Sequence, residues 1–441
     1  IASIVEDIDM GDYAKQLILQ SILIALQKED SDVPRPIALV EALYKCATAY
    51  SMQLCKRPPA PGSEANPYVS RLASNVLEEI FGPIQLGCGV SGGSELALHI
   101  LQAAMEAGGP EFAALLADKE NAFNSMSRAK MLQALYDEPS LKFLWGATAF
   151  GYGGKPTYIV YRVGGTIFRI PSLTGSRQGC LLGTLLYCLA VQNDYNASVE
   201  GLDVTAAAIC DDFTGISDWE TVLTVYDRLH ASIGLGPKTA VLWPHDSQPP
   251  HGLVEGCIQR NIKLKLRSAK LLGTERGFDP VAVGSRAMGR AASKKYLFDA
   301  LTHPHMRKEN AAHILSSCLQ PSMGFDIRVC VPEYILEATT LFDSMLIKAA
   351  DRLLSLTSKK KDDPISPDRT AVLYLIVKPR SKGGMGLRLS TDLRHTGYYC
   401  ASAQAAQHTQ KFVPIAQPKQ GNAFPGGPLQ GLQKAHLYGG K

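Results

Sequence analysis

Three carboxylates in this chain could do metal-assisted chemistry. Asp118 ends the continuous apolar run Phe112-Ala113-Ala114-Leu115-Leu116-Ala117, and Asp211 and Asp212 lie side by side in Ile209-Cys210-Asp211-Asp212-Phe213-Thr214-Gly215-Ile216-Ser217. The apolar run reads as a buried strand. The second stretch follows Val204-Thr205-Ala206-Ala207-Ala208 and reads as a hairpin with its acids at the tip. Taken alone, an Asp-Asp pair is an ordinary solvated turn, because Asp caps its own backbone and tolerates unusual dihedrals. Strands side by side in one sheet would instead gather the three acids, where they repel and raise one another's pKa. A divalent metal relieves that repulsion, and hard oxygen ligands favour Mg²⁺, which keeps waters and substrate phosphates in its shell. Two such ions held about 3.5–4 Å apart clamp the attacking and leaving oxygens of an in-line phosphoryl displacement.

The elements that must position these acids can be read along the chain. Tyr13, Leu17, Ile18, Ile22, Leu23 and Leu26 recur near every 3.6 residues and predict an amphipathic helix over 11–28. Arg35-Pro36-Ile37 holds the chain extended, as a strand or a rigid turn, before a helix from about 40 to 54. Arg57-Pro58-Pro59-Ala60-Pro61-Gly62 is a loop. Gly87 to Glu95 is glycine-rich and opens a helix capped by Ser94; it lacks the Gly-Lys-Ser/Thr of a phosphate loop. A helix over 127–136 precedes a hairpin turning at Gly164-Gly165, and an apolar helix begins at Leu181. After the Asp-Asp hairpin come a helix over 221–233, the turn Gly234-Leu235-Gly236-Pro237, a strand over 238–243 and a short strand over 269–274. Helices alone follow, near 288–302, 308–319, 332–356 and 390–407. The Gly/Pro/Gln-rich stretch from about Gln417 has too few apolar residues to pack.

Composition sets bounds. At 441 residues the chain is long enough for two or three lobes. A net charge of +4 neither demands nor excludes a nucleic-acid partner, so any positive surface must come from local clusters such as Lys263, Lys265, Arg267 and Lys270, or Lys359-Lys360-Lys361. The ten cysteines include no C-x-x-C pair, which excludes a visible zinc finger or knuckle. Cys180, Cys188, Cys210 and Cys400 sit in apolar surroundings and read as reduced core residues of an intracellular protein. No apolar run reaches eighteen residues, so no transmembrane helix is expected. The first residue is Ile and no signal-peptide pattern follows, as in a piece of a longer polyprotein.

Together these motifs resemble the reverse transcriptases of non-LTR (LINE-type) retrotransposons, over roughly residues 33–405. Asp118-Lys119-Glu120-Asn121-Ala122-Phe123-Asn124-Ser125 resembles the first catalytic motif of that family's palm, and Ser176-Arg177-Gln178-Gly179-Cys180-Leu181-Leu182-Gly183-Thr184-Leu185-Leu186 the Gln-Gly motif that follows. Ile209-Cys210-Asp211-Asp212 stands where the family has x-x-Asp-Asp, with Ile209 in place of the usual aromatic. Gly236-Pro237-Lys238-Thr239 resembles the next palm motif, Leu271-Leu272-Gly273 the primer-grip strand, Arg35-Pro36-Ile37 the start of the fingers, and Gly383-Gly384-Met385-Gly386-Leu387-Arg388 a late segment.

The resemblance implies an α+β, right-hand polymerase fold. Its parts would be an N-terminal helical extension (1–32), fingers (33–110), a palm (111–282, with a finger-palm hairpin over 156–172), a helical thumb with C-terminal helices (283–416) and a disordered tail (417–441). It implies that Asp118, Asp211 and Asp212 hold two Mg²⁺ ions. Phe123 would be the steric gate against a ribose 2′-hydroxyl. Gln178 and Gly179 would line the nucleotide pocket, Lys238 would be a general acid near the leaving pyrophosphate, and Arg35 would contact the triphosphate. The implied partners are an RNA template, a DNA primer and dNTPs, with nuclear localisation for a eukaryotic element. Simpler readings stand beside these roles: Phe123 as core, Lys238 as a strand-edge lysine that discourages pairing. A rival from another class is a catalytically silent reverse-transcriptase-like scaffold that binds RNA or protein, although a scaffold has no reason to keep three electrostatically costly acids. An RNA-dependent RNA polymerase is disfavoured by the ring at Phe123.

Overall fold

The computed structural model of the chain describes residues 11–28, 31–53, 76–154, 157–354 and 374–412. Its class is α+β, as the sequence predicts. The described residues fall into two compact units: those within 1–97, 108–241 and 249–264 form the first, and those within 98–107, 242–248 and 265–441 the second.

The first unit is built around strand β3 (Phe112–Ala117), whose small and apolar side chains are buried along nearly its whole length. β1 is Ser21–Lys28, β2 Ser31–Val40, β4 Thr157–Val163, β5 Thr166–Ser172, β6 Thr205–Ile209, β7 Asp212–Asp218, β8 Ala240–Trp243 and β9 Lys263–Leu266. One sheet has the order β6-β7-β3-β8-β9. β7 runs antiparallel to β3 from Asp218 opposite Phe112 to Phe213 opposite Ala117, and antiparallel to β6 up to Ile209 opposite Asp212. That register delivers the end of β3 beside the tip of the β6–β7 hairpin. The helix Leu181–Val199 is apolar on almost every side, as a helix enclosed by protein must be. It meets the sheet where the ring of Tyr195 lies 5.1 Å from that of Phe213. The helix Trp219–Ile233 starts at Asp218, whose carboxylate accepts from the Thr221 N–H at 2.9 Å, and ends at Gly234 with φ 66°.

A second sheet of this unit, β2-β1-β4-β5, departs from the sequence expectation at its first strand. The helix predicted over 11–28 is instead a short helix Asp12–Leu19 followed by β1. Ile22, Ile24 and Leu26 also alternate, so a run apolar throughout satisfies both periods. Pairing decides between them: β1 forms an antiparallel ladder with β2 from Ser21 opposite Val40 onward. The glycine turn between β4 and β5 is as expected, with φ 54° at Gly164 and 89° at Gly165. The helix after the glycine-rich stretch begins at Gly93, which puts Ser94 inside the first turn rather than at the cap. A side chain at Gly93 would stand 1.9 Å from the Leu86 carbonyl oxygen, so close packing of the backbone sets that start.

The second unit holds a hairpin, β10 (Ser268–Leu271) and β11 (Thr274–Gly277), where the sequence suggests one strand. Both loop residues have positive φ, 47° at Leu272 and 86° at Gly273. A leucine in the first of these positions hides the turn from a sequence reading. The Gly273 carbonyl accepts from Arg286 Nε at 3.2 Å and Arg290 Nη1 at 2.8 Å. Beyond it the described residues are helical, as expected, with altered bounds. Asp279 caps the helix Pro280–Ser293, a second helix runs Lys295–Leu301, and Leu336–Leu354 and Ser390–Phe412 follow. The carboxylate of buried Asp343 accepts from the N–H groups of Ser390 and Thr391, both at 2.8 Å, and so caps the last of these helices. The exposure of Cys400 on that helix corrects its reading as core. The Pro-rich loop, Lys359-Lys360-Lys361 and the stretch after residue 416 lie outside the described residues. No described helix is long and apolar enough to cross a membrane.

Candidate active site

Asp118 is the first residue beyond β3, and the Gly236–Thr239 turn ties down its main chain. The Gly236 N–H donates to the Asp118 carbonyl at 2.7 Å, while the Thr239 hydroxyl lies 3.2 Å from both the Asp118 N–H and its carbonyl oxygen. Two motifs far apart in sequence thus share one anchor. Asp211 is the second residue of the two-residue loop Cys210-Asp211 between β6 and β7. Asp118 and Asp211 line the same cavity, of about 890 Å³, together with Phe123, Gln178, Gly179 and Lys238. Asp212 is not among the lining residues; it opens β7 and is exposed.

The ring of Phe123 stacks on Tyr187 of the Leu181–Val199 helix, with centroids 4.6 Å apart and planes at 27°. Its backbone is held as well: the Ser176 N–H donates to the Phe123 carbonyl at 2.8 Å, and the Gly175 N–H to that of Met126 at 2.9 Å. Gln178 is half-buried, and its carbonyl accepts from the Ala38 N–H of β2 at 2.9 Å. Gly179 has φ 103°, and a Cβ there would sit 2.6 Å from the Ala38 carbonyl oxygen. The close approach that makes this glycine necessary is to β2. Lys238 is exposed at the cavity edge. Arg35 lies on β2 opposite Leu26, and its side chain falls outside the described residues.

Residues to which the sequence reading gave no role also hold this site. Arg177, within the Gln-Gly motif, is 4% exposed. Its guanidinium donates to the carbonyls of Leu19 and Gly151, both at 2.9 Å, and stacks 5.5 Å from the Tyr44 ring and 5.0 Å from that of Tyr152. Arg128 donates to the Ser172 carbonyl at 2.6 Å and the Gly175 carbonyl at 3.0 Å, fixing the loop that leads into Gln178. Gln85 and Tyr195 both bond the main chain of Cys210. Burial, with Asp211 nearby, pushes the phenol of Tyr187 up; burial, then Tyr187, does the same at Tyr195, so both stay protonated. Burial and the neighbouring charge of Lys130 pull the Lys119 ammonium below its usual value, and it donates to the Ile233 carbonyl.

Among the described residues no cluster of three or more His, Cys, Asp or Glu side chains could hold a metal ion alone. Two carboxylates in one roomy cavity suit a narrower class, since Mg²⁺ binds through one or two carboxylates and completes its shell with water and substrate phosphates. The donor set fits that ion and not an all-protein cage.

No family model and no curated protein matches the chain. Among solved structures it is similar to an insertion-loop deletion mutant of the RNA-dependent RNA polymerase of a human picobirnavirus. The identity is 12%, the match covers 76% of this chain and 59% of that one, and the TM-score is 0.42. It is similar also to telomerase from Candida albicans in complex with a TWJ fragment of telomeric RNA, at 10% identity, covering 93% and 64%, with a TM-score of 0.43. The chain spans about three fifths of the length of these structures. With overlaps this partial, the functional reading rests on the chemistry of the cavity.

Proposed function

We propose that the chain is an RNA-directed DNA polymerase of the right-hand class, adding deoxynucleotides to a primer 3′-hydroxyl on an RNA template. One observation carries the reading: Asp118, just past the end of β3, and Asp211, in the loop that leads into the neighbouring β7, line a single cavity with Phe123, Gln178 and Lys238, residues of four separate sequence motifs. Under this reading 33–110 would be fingers, 111–282 palm and 283–416 thumb.

Asp118 and Asp211 would hold two Mg²⁺ ions, with Asp212 contributing from outside the cavity lining. Bound there, the ions would lower the pKa of the primer hydroxyl and neutralise charge on the phosphates. The chain's own groups do the rest. Phe123, on the Tyr187 ring, presents an apolar edge where a ribose 2′-hydroxyl would have to fit. Gln178 supplies an amide to the incoming nucleotide, and Arg35 is assigned to its triphosphate. Lys238 holds a proton for the leaving pyrophosphate, a task suited to a compact ammonium whose pKa responds to its surroundings. Template and primer would be gripped mainly through phosphates and A-form shape.

Primer extension on an RNA template with Mg²⁺ tests this, comparing dNTPs with rNTPs and including Asp211→Asn. Extension with dNTPs that Asp211→Asn abolishes is the expected result. No extension by the unsubstituted protein across metals and templates would leave the scaffold reading, and extension only with rNTPs would remove the gate at Phe123.

A further inference from the structure

Gln85 belongs to no motif, yet its side chain bonds both backbone groups of Cys210 in the loop before Asp211. It has no exposed surface. Its Oε1 accepts from the Cys210 N–H at 2.8 Å and the Gly87 N–H at 3.0 Å, and its Nε2 donates to the Cys210 carbonyl at 3.0 Å. The main chain on either side is laced to β6, with the Leu86 N–H donating to the Ala208 carbonyl at 2.8 Å and the Ala208 N–H to that of Ile84 at 2.7 Å. Gly87 leaves the space for this: a Cβ there would stand 2.6 Å from the Cys210 nitrogen.

Cys210 is the loop residue that needs holding. Its φ is 58°, a left-handed conformation that a side chain other than glycine, Asn or Asp seldom adopts. It immediately precedes Asp211, so its dihedrals set where the Asp211 carboxylate is aimed. The second donor to its carbonyl is the Tyr195 hydroxyl at 3.0 Å. A non-glycine residue stays in such a conformation only where its surroundings over-determine it.

We infer that Gln85 is a positioning residue for Asp211: by bonding both backbone groups of Cys210 it holds the two-residue loop in the form that turns the Asp211 carboxylate into the cavity. This rests on the polymerase reading for what Asp211 does there. A merely structural Gln85 would stabilise the edge of the sheet and leave the affinity of the acids for metal untouched.

The test is Mn²⁺ binding by the full chain, read from the electron paramagnetic resonance signal of free Mn²⁺, with the thermal unfolding midpoint recorded beside it. Gln85→Met conserves length and removes all three hydrogen bonds. It should weaken Mn²⁺ binding by about ten-fold or more, as loss of an outer-shell partner does, and raise half-saturating Mg²⁺ in primer extension in parallel. Gln85→Asn keeps a polar amide in the buried site but is one methylene too short to reach both Cys210 groups; it should shift the same way, and it decides the matter if the Met variant does not fold. Wild-type Mn²⁺ affinity in the folded variants, with only a lower unfolding midpoint, overturns the inference. The polymerase reading fails separately, if the unsubstituted protein binds Mn²⁺ no better than Asp118→Asn.

Discussion

The ring of Phe123 lies on the ring of Tyr187, centroids 4.6 Å apart and nearly parallel. A side chain of the Asp118–Ser125 motif is thus seated on a residue of the Leu181–Val199 helix, and its freedom to move aside for a bulkier sugar is limited by that contact. Phe123→Val should raise the use of rNTPs relative to dNTPs. Tyr187→Leu, which leaves Phe123 in place but unsupported, should raise it by a smaller factor. About two- to ten-fold is expected for that second variant, the equivalent of the roughly 0.5–1.5 kcal/mol of a stacked aromatic pair. The ratio of kcat/KM for the two nucleotide types measures both. An unchanged ratio in Phe123→Val would remove the gate.

Asp211 and Asp212 are adjacent in sequence and unlike in place. Asp211 lines the cavity with Asp118, and Asp212 is exposed at the start of β7. Asp211→Asn should lower kcat by about a thousand-fold or more, since under the proposed reading several kcal/mol of charge stabilisation depends on the ions it would hold. Asp212→Asn should cost distinctly less. Single-turnover extension rates at saturating Mg²⁺ would show it; equal losses would mean that both acids act on the reacting phosphate.

Gly179 combines φ 103° with a backbone oxygen 2.6 Å from where a Cβ would stand. Gly179→Ala should therefore destabilise the first unit by more than about 1 kcal/mol, because alanine fits neither the dihedral nor the space. Its KM for nucleotide should rise as Gln178 shifts with it. Urea unfolding and steady-state kinetics would read the two effects. A variant as stable as the wild type would show that β2 yields at Ala38.

Asp218 caps the Trp219–Ile233 helix. Burial alone would raise its pKa, but the Thr221 N–H donates to its carboxylate at 2.9 Å and the net effect is a carboxyl held below its usual 3.8. A depressed folded-state pKa contributes stability above the unfolded value and loses it as pH falls through the folded one. Asp218→Ala should cost about 1 kcal/mol at neutral pH. The gap to wild type should narrow below pH 3.8. Unfolding midpoints between pH 7 and pH 3 would follow this, and a gap independent of pH would assign the loss to packing alone.

What the sequence determined by itself was chemical identity and local form. Asp118 at the end of an apolar run, the Asp-Asp hairpin and the Gly164-Gly165 turn are legible because strand alternation, burial and turn dihedrals act over a few neighbouring residues. Where a local pattern was ambiguous, as in Ser21–Lys28, or broke its own rule, as with Leu272 in a tight turn, long-range pairing decided. Only the tertiary structure brought Asp118 and Asp211 to one cavity while leaving Asp212 at its outside, and only there does Gln85 become the support of Cys210. Those contacts span long stretches of chain and join side chains to backbone groups, which every residue carries, so nothing in the letters marks them.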